Sequence, residues 1–291
     1  MLSASPIATA GCFACEPDRT RRVMISVAPN GGRKTKADHS ALPLSADELA
    51  CCAIECRDAA ASLLHLHVRD RDGRHLLDAD AYRAATEAVR RAVGRDLVVQ
   101  ITTESLGFYG PAEQIAIVKA VRPESASIAM REIVPEDGDE GRFSELLAWM
   151  RREGVTPQII LYDLADQRRL MDLQARGVVP GDLPLLFVLG RYTANQSSAP
   201  ADILPFLQDR MALPAHWSVC AFGAREAACV VAGTLLGGHV RVGFENNLFL
   251  PSGAVAPSNA ALVAAVTGSI TALGFGLESA DSLRQTFSRL T

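Results

Sequence analysis

An α/β protein folded as a closed parallel barrel, the (β/α)8 TIM barrel, is the fold class that this sequence predicts. Short runs rich in β-branched and aliphatic residues alternate with longer amphipathic runs about eight times along the chain. The loop after the first run, APNGGRKTKADHSALP, lacks the G-x-G-x-x-G spacing of a dinucleotide-binding sheet and runs long before its helix. Both observations favour a closed barrel over an open, doubly wound sheet.

Strands and helices are predicted in strict alternation, beginning with the run RVMISVA. The strands are expected at residues 22–28, 62–68, 97–102, 126–130, 158–163, 185–190, 217–223 and 239–245. The helices are expected at residues 46–60, 80–94, 111–121, 142–153, 165–177, 200–211, 224–236 and 258–273. A capping box of Ser45 and Glu48 starts the first helix, and Pro111 and Pro200 start later ones because proline is favoured in a first turn.

Composition favours a small-molecule ligand. The 291 residues include 33 acidic and 29 basic ones, for a net charge of -4 without a pronounced basic block, so neither nucleic acid nor a membrane surface is expected as the main partner. Seven cysteines, an odd number, suit a reducing compartment, and we expect a cytoplasmic protein. Residues 22–291 are expected to form a single catalytic barrel domain, preceded by an N-terminal extension at 1–21.

Polar residues at the carboxyl ends of the predicted strands are the candidates for an active site, because barrel enzymes build their sites at that face. The rule collects Asn30, His65, His67, Thr102, Thr103, Arg131, Asp163, Arg191, Arg225, Glu245 and Asn246.

Two of these candidates form an H-x-H pair in the run LLHLHVRD. His65 and His67 point to the same face of their strand, and Glu245 ends the last strand, which lies beside the first in a closed barrel. A catalytic zinc takes three protein ligands and keeps one position open, so we predict that these three residues bind Zn²⁺, although manganese or iron also suits the donors. A lone buried histidine is more often a hydrogen-bonded core residue, and His239, which opens its strand, is read that way.

Charged residues near this predicted site leave two interpretations open. Arg241 lies four residues before Glu245 on the same strand, so it faces the barrel interior either as a structural ion-pair partner or as an anchor for a substrate carboxylate. Arg33, Lys34 and Lys36 form a small basic loop that either meets an anionic ligand or is solvated.

Several motifs together resemble the β-keto acid cleavage enzyme family. They are HLHVRD with Gly73 three residues on, VAPNGGRKTKADHSALPLS, FVLG at 187–190, and GGHVRVGFENN running into NLFLPSG. The resemblance extends from about Arg22 to Gly276. It implies a zinc-dependent TIM barrel, a homotetramer in which a β-keto acid and acetyl-CoA, the co-substrate, give a new acyl-CoA and acetoacetate in a retro-Claisen-type exchange.

The resemblance also implies roles for individual residues. It assigns the metal to His65, His67 and Glu245, and it matches the family's arginine with Arg241 and a serine or threonine with Thr102. The predicted substrate-binding residues are Asn30, Arg33, Thr102, Thr103, Arg131 and Arg191.

Two departures from the family pattern bear on the chemistry. The family has an aspartate base where this chain has Asn246, and an amide accepts no proton at neutral pH. A first-loop glutamate that binds an amino group is matched by Arg33, which favours a β-keto acid without an amine and with a second acidic group. Glu104, Glu132 and Asp163 remain as alternative bases, so the predicted catalytic set comprises Arg241, Asn246, Glu104 and Asp163.

Three other functions use similar residues. A metal-dependent hydrolase of the amidohydrolase type also carries H-x-H in a barrel, but it needs later histidines and an aspartate that this chain does not place at strand ends. A lyase of the hydroxymethylglutaryl-CoA type carries H-x-H on a late strand. A barrel that binds metal or acyl-CoA without catalysis is the third alternative, and turnover distinguishes it from the enzymes.

Overall fold

The computed structural model describes residues 21–208 and 213–290, and within them a closed barrel of eight parallel strands confirms the predicted fold class. The strands in chain order are β1 Arg22–Val23, β2 Ile25–Val27, β3 Leu63–Leu66, β4 Val68–Arg69, β5 His75–Leu76, β6 Val98–Thr102, β7 Ser125–Ala129, β8 Thr156–Leu161, β9 Leu185–Leu189, β10 Trp217–Ala221, β11 His239–Val242 and β12 Gly276–Leu277. The barrel runs β2-β3-β6-β7-β8-β9-β10-β11, and it closes where Arg241 pairs with Ser26. Outside the barrel, β1 pairs with β12 and β4 forms a hairpin with β5.

Helices cover the outside of the barrel, and seven of those described lie at predicted places. The described α-helices are α1 Ala46–Asp58, α2 Ala79–Val93, α3 Pro111–Val121, α4 Met130–Ile133, α5 Glu140–Glu153, α6 Leu164–Ala175, α7 Glu226–Leu235, α8 Asn259–Ala272 and α9 Ala280–Leu290. The capping box of Ser45 and Glu48 forms as expected at the start of α1. Among the described residues, none of these helices has the length and apolar character that crossing a bilayer requires.

Two predicted elements differ in kind from the observed ones, and a third lies outside the described residues. The helix expected at 200–211 is a 3-10 helix over Pro200–Leu207, because Pro205 inside it has no N–H to donate; residues 209–211 of that prediction lie outside the described chain. The strand expected at 126–130 gives way to the short helix α4 at Met130. The extension at 1–21 also lies outside the described residues, apart from Arg21.

Helix α9 was not predicted, and it seals the amino-terminal end of the barrel. Its Leu283 and Phe287, one helical turn apart, are buried against Met24, Leu63 and Val98. Their spacing in the sequence was the available signal for this helix. With that end closed by apolar contacts, the opposite end is the one open to ligands.

The interior of the barrel contains a hydrogen-bonded cluster of polar side chains. Gln100 donates from Nε2 to Ser125 Oγ (3.0 Å) and to Gln158 Oε1 (3.3 Å), and all three side chains are buried. Outward-facing neighbours such as Leu64 and Leu66 belong to the apolar layer under the helices. These hydrogen bonds fix the Gln100 side chain through its Nε2. Its Oε1 stays free to accept a hydrogen bond from a residue on the neighbouring strand β3 and so to position that residue.

Two stacked histidines at the closed end generate a prediction about stability. His239 Nδ1 accepts a hydrogen bond from the Met24 amide (3.0 Å), as expected for a structural residue, and its ring lies 4.4 Å from that of His216. Burial lowers the pKa of His216 to about 4. In the unfolded chain this histidine has its ordinary pKa, so it binds a proton at a higher pH than in the folded protein. The free energy of unfolding therefore falls as pH drops from about 6.5 toward 4.

The parent protein loses stability between pH 7.5 and pH 5. We expect this loss to be roughly 2 kcal/mol smaller in His216→Phe, because a phenylalanine takes up no proton on unfolding. Guanidinium unfolding of both proteins at the two pH values, in EDTA, measures the difference. An equal loss in variant and parent would show that His216 is not responsible.

Candidate metal centre and active site

His65, His67 and Glu245 meet at the open end of the barrel, as the sequence predicts. The Nε2 atoms of the two histidines lie 3.2 Å apart, and Glu245 Oε2 lies 3.7 Å from His65 Nε2 and 3.4 Å from His67 Nε2. Among the residues that the structure describes, this is the group of nitrogen, sulfur and carboxylate donors that could hold a metal ion.

The spacing of the three atoms fits a small divalent ion. Ligands at about 2.0–2.1 Å from a tetrahedral zinc lie roughly 3.3 Å from one another, close to the observed separations. Glu245 Oε2 is buried and has no hydrogen-bond partner among the described residues. A buried carboxylate oxygen without a donor is costly, so these residues fit a bound cation.

The protonation states also suit a metal site. His65 Nδ1 lies 2.8 Å from Gln100 Oε1, which accepts a hydrogen bond and so leaves the lone pair on His65 Nε2. Burial, followed by the charge of Arg241, holds the pKa of His65 well below its usual range, so the ring is neutral. Burial, the strongest single influence, raises the pKa of Glu245, but the Arg241 guanidinium at 2.5 Å and the two histidines together outweigh it and keep that pKa well below normal.

Two glycines allow Glu245, the carboxylate of the candidate metal centre, to reach its position. The strand predicted at 239–245 ends at Val242, because Gly243 takes φ 138° and a Cβ there would lie 2.3 Å from the Ala28 carbonyl oxygen. Gly31, with φ +58°, passes so close that its Cβ would lie 2.5 Å from Glu245 Cγ. Glu245 therefore reaches the histidines from a loop, and its backbone carbonyl accepts a hydrogen bond from Lys34 Nζ (2.7 Å).

A small cavity opens beside the three residues. It has about 20 Å³ of free volume, room for little more than one water. Its lining comprises His65, His67, Thr102, Glu104, Ser127, Ala129, Glu132, Ile160, Tyr162, Val188, Arg191, Phe222, Arg241 and Glu245. Arg241 Nε is buried and has no hydrogen-bond partner among the described residues, so a donor remains available there after the ion pair with Glu245.

Glu104 is a predicted base that the fold brings to the cavity with one buried oxygen that no hydrogen bond engages. Its Oε1 accepts from Arg191 Nη2 (3.1 Å), whereas its buried Oε2 has no hydrogen-bond partner among the described residues and lies 3.6 Å from His67 Nδ1. Glu132 also lines the cavity, but its Oε2 accepts hydrogen bonds from the Ser105 amide and Gln114 Nε2. Burial raises the pKa of Glu132.

Asp163 and Arg131, both predicted as site residues, lie outside this cavity. Asp163 is about half exposed, caps helix α6 by accepting from the amides of Ala165 and Asp166, and pairs with Arg131 at 2.5 Å. Arg131 also pairs with Asp166 and lies over the Tyr162 ring at 4.9 Å. A residue at a strand end is equally well placed to start the next helix, which is the role that Asp163 takes.

Three other predicted residues support the site through the backbone. Asn30 is buried and donates to the His67 carbonyl oxygen (2.9 Å), which fixes the strand end that carries the histidine. Thr103 donates to the Ser127 carbonyl oxygen (3.0 Å) and does not line the cavity. Thr102 lines the cavity and accepts from the Glu104 amide (3.0 Å), which orients the loop carrying Glu104.

Asn246 lies behind the metal residues, next to a buried carboxyl that the sequence did not reveal. Glu226 accepts from the Gly243 amide (3.1 Å), Asn246 Nδ2 (3.2 Å) and Asn247 Nδ2 (3.3 Å). Burial raises the pKa of Glu226 to about 8, although these hydrogen bonds oppose the rise. Its place in the first turn of a helix gave no sign of this role.

A second cavity of about 260 Å³ lies above the metal residues and carries the basic loop. Its lining includes Arg33, Lys34, Arg191 and Glu245. Arg33 is exposed and forms no ion pair within the described part of the chain, whereas burial lowers the pKa of Lys34. Three basic side chains therefore line this cavity, together with the carboxylates of Asp38 and Glu245.

Known proteins match this chain over nearly its whole length. The 3-keto-5-aminohexanoate cleavage enzyme of Fusobacterium nucleatum is 28% identical over 275 residues, covering 92% of this chain and 98% of that enzyme. The 3-oxoadipate:acetyl-CoA acetyltransferase of Cupriavidus necator is 29% identical over 255 residues, covering 85% and 88%. The solved apo structure of ObcA, at 16% identity and a TM-score of 0.68, covers 84% of this chain and 65% of its own and shows the fold alone.

The family match extends beyond the motifs seen in the sequence and includes most of helix α9. Residues 22–288 match the model of the β-keto acid cleavage enzyme family, whose relatives include named transferases and cleavage enzymes. The chain is therefore an enzyme of β-keto acid cleavage, and it belongs to the β-keto acid cleavage enzyme family.

Proposed function

We propose that this protein is a zinc-dependent enzyme that exchanges acyl groups between a β-keto acid and acetyl-CoA. The observation that carries the proposal is the group of His65, His67 and Glu245, spaced for zinc beside a cavity at the open end of the barrel. The names of two relatives, the 3-oxoadipate:acetyl-CoA acetyltransferase and the 3-dehydrocarnitine:acetyl-CoA trimethylamine transferase of Rhizobium meliloti, support acetyl-CoA as the co-substrate.

Each residue has a defined part in this proposal. His65, His67 and Glu245 would hold Zn²⁺, which supplies a Lewis acid for the keto and carboxylate oxygens of the substrate. Arg241 keeps Glu245 ionised and offers its free Nε to the substrate carboxylate, so its two alternative roles are compatible. Glu104 Oε2 is the best-placed acceptor for a proton from C2 of the keto acid, since Asn246 cannot accept one.

The exchange balances without an oxidant or a hydrolytic water. After C2 loses its proton to Glu104, the carbanion attacks the acetyl thioester and releases CoA thiolate. The thiolate then attacks the original keto carbon, the C2–C3 bond breaks, and C2 regains a proton. The products are a new acyl-CoA and acetoacetate.

Arg33 and Lys34 support a substrate with a second acidic group. They line the 260 Å³ cavity above the metal residues, where the family pattern instead has a glutamate matched by Arg33. A distal carboxylate at that position would meet cationic donors, and a distal amine would be repelled. We therefore propose a dicarboxylic β-keto acid as the substrate class.

Other parts of the proposal rest on the strand-helix pattern, the cysteine count and the family resemblance. We propose that residues 22–291 form one catalytic domain preceded by an extension at 1–21. We also propose that the protein is a homotetramer and that it works in the cytoplasm.

Mass spectrometry of CoA species tests the function. Zinc-loaded protein is mixed with acetyl-CoA and β-keto acids of equal chain length whose distal group is acidic, neutral or basic. We expect a new acyl-CoA together with acetoacetate, most rapidly with the dicarboxylic acid, and none after zinc removal or in Glu245→Gln. Consumption of a substrate without CoA would instead indicate the hydrolase, and no reaction with any keto acid would contradict the transferase.

Glu104→Gln tests the base. We expect kcat to fall about 10²- to 10⁴-fold, because glutamine is close in size but accepts no proton. Zinc content, measured by plasma mass spectrometry, should stay at the parent value. Glu132→Gln is the matched control, since Glu132 lines the same cavity and its Oε2 accepts hydrogen bonds from two donors. An equal loss of kcat in both variants would contradict the assignment of Glu104 as the base.

Arg33→Glu tests the substrate class. We expect the ratio of kcat/KM for the dicarboxylic acid over the amino-bearing acid to fall by about 10- to 100-fold, because a carboxylate there repels an acidic end and attracts an amine. Saturating acetyl-CoA in both assays keeps the co-substrate from affecting the ratio. Arg151→Ala, at the end of helix α5, is the control; an unchanged ratio in Arg33→Glu contradicts the assignment.

A further inference from the structure

The turn that carries Glu245 is held by a buried carboxyl from another element, Glu226 at the start of helix α7. Its Oε1 accepts hydrogen bonds from the Gly243 amide (3.1 Å) and from Asn246 Nδ2 (3.2 Å). Its Oε2 accepts one from Asn247 Nδ2 (3.3 Å). Glu226 lines neither cavity at the metal centre, and no step of the proposed exchange uses it.

The three donors flank Glu245 in the chain. Gly243 lies two residues before it, and Asn246 and Asn247 lie one and two residues after it. The turn also closes on itself, because the amides of Asn246 and Asn247 donate to the Gly243 carbonyl oxygen (2.8 and 3.1 Å). Glu226 therefore holds both arms of the turn that presents Glu245.

The backbone of Glu245 is fixed from the opposite side. Its amide donates to the Ala28 carbonyl oxygen (3.1 Å), and its carbonyl oxygen accepts from Lys34 Nζ (2.7 Å). These contacts use only the main chain of Glu245. Its side chain is left for the ion pair with Arg241 and for the two histidines.

A carboxylate suits this position because every group that faces it here donates a hydrogen bond. An ionised carboxyl has acceptors only, whereas an amide of the same size would turn its NH₂ group toward at least one of the three donors. A buried N–H without an acceptor is costly, so the turn would move to relieve it. Metal ligands tolerate displacements of only about 0.2 Å, so such a movement would reach the ion.

We propose that Glu226 is a positioning residue for the metal centre, which holds the turn so that Glu245 Oε2 meets His65 and His67. The inference rests on the zinc site of the proposed function. A carboxyl that only stabilised the fold would leave the affinity for metal unchanged, so the two roles can be separated by measurement.

Zinc affinity tests the proposal without any substrate. The dissociation constant for Zn²⁺ is measured by competition with a chromogenic chelator at about pH 9, where Glu226 is ionised even though burial raises its pKa to about 8. In Glu226→Gln we expect zinc to bind about 10- to 100-fold more weakly. The visible absorption of the Co²⁺-loaded protein, which responds to coordination geometry, should also change.

Asn247→Ala is a milder variant that removes one of the three donors to Glu226. We expect it to weaken zinc binding by about 3- to 10-fold, because the other two contacts remain. It also provides a test if Glu226→Gln does not fold.

Glu124→Gln is the matched control at the closed end of the barrel. Glu124 likewise accepts from three donors, namely the Val99 amide (3.1 Å), Arg284 Nε (3.0 Å) and Arg90. Guanidinium unfolding in EDTA should show a lower free energy of unfolding in both glutamine variants. Zinc affinity and the Co²⁺ spectrum should change only in Glu226→Gln.

The proposal is overturned if Glu226→Gln binds zinc within about twofold of the parent, or if Glu124→Gln loses as much affinity. Parent affinity in Asn247→Ala overturns it if Glu226→Gln does not fold. A parent protein that binds neither Zn²⁺ nor Co²⁺ would refute the inference and the proposed function together. Weaker zinc binding in Glu226→Gln, in a protein without transferase activity, would support the inference while refuting the function.

Discussion

The buried ion pair between Arg241 and Glu245 is the interaction on which the site depends. Removing two charges from water is costly, and a lone carboxylate at this depth would take up a proton. Arg241 lies 2.5 Å from Glu245, and it leaves the second carboxylate oxygen directed at the two histidines. The charge that a metal ligand needs is thus maintained inside the barrel by Arg241, on the strand that leads directly into Glu245.

The polar cluster inside the barrel and the apolar packing at its closed end have different roles. Gln100 is held by Ser125 and Gln158 and in turn fixes the tautomer of His65, so hydrogen bonds across three strands reach the metal position. At the other end, Phe287 and Leu283 exclude water from the strand beginnings. The rigid interior orients ligands, and the loops at the open end form the cavities.

Asn246 and Glu226 are chemically matched. The carboxyl of Glu226 is buried and needs N–H donors, and the amide of Asn246 supplies one at 3.2 Å. An aspartate at 246 would place two carboxyl groups together and remove that donor. Asn246, which stands where the family has an aspartate, therefore serves Glu226 as a hydrogen-bond donor. In place of a carboxylate at position 246, Glu104 brings an oxygen without a hydrogen bond to the cavity.

The sequence alone determined the barrel, the inward face of the histidines and the family, because strand alternation and H-x-H spacing are local properties. It could not tell that Asp163 caps a helix, that Glu226 is buried behind Asn246, or that Glu104 keeps a buried oxygen without a hydrogen bond. Those outcomes depend on which loops meet at the open end and on which donors they supply. Tertiary structure decided them, since the partners of these carboxyls come from distant parts of the chain.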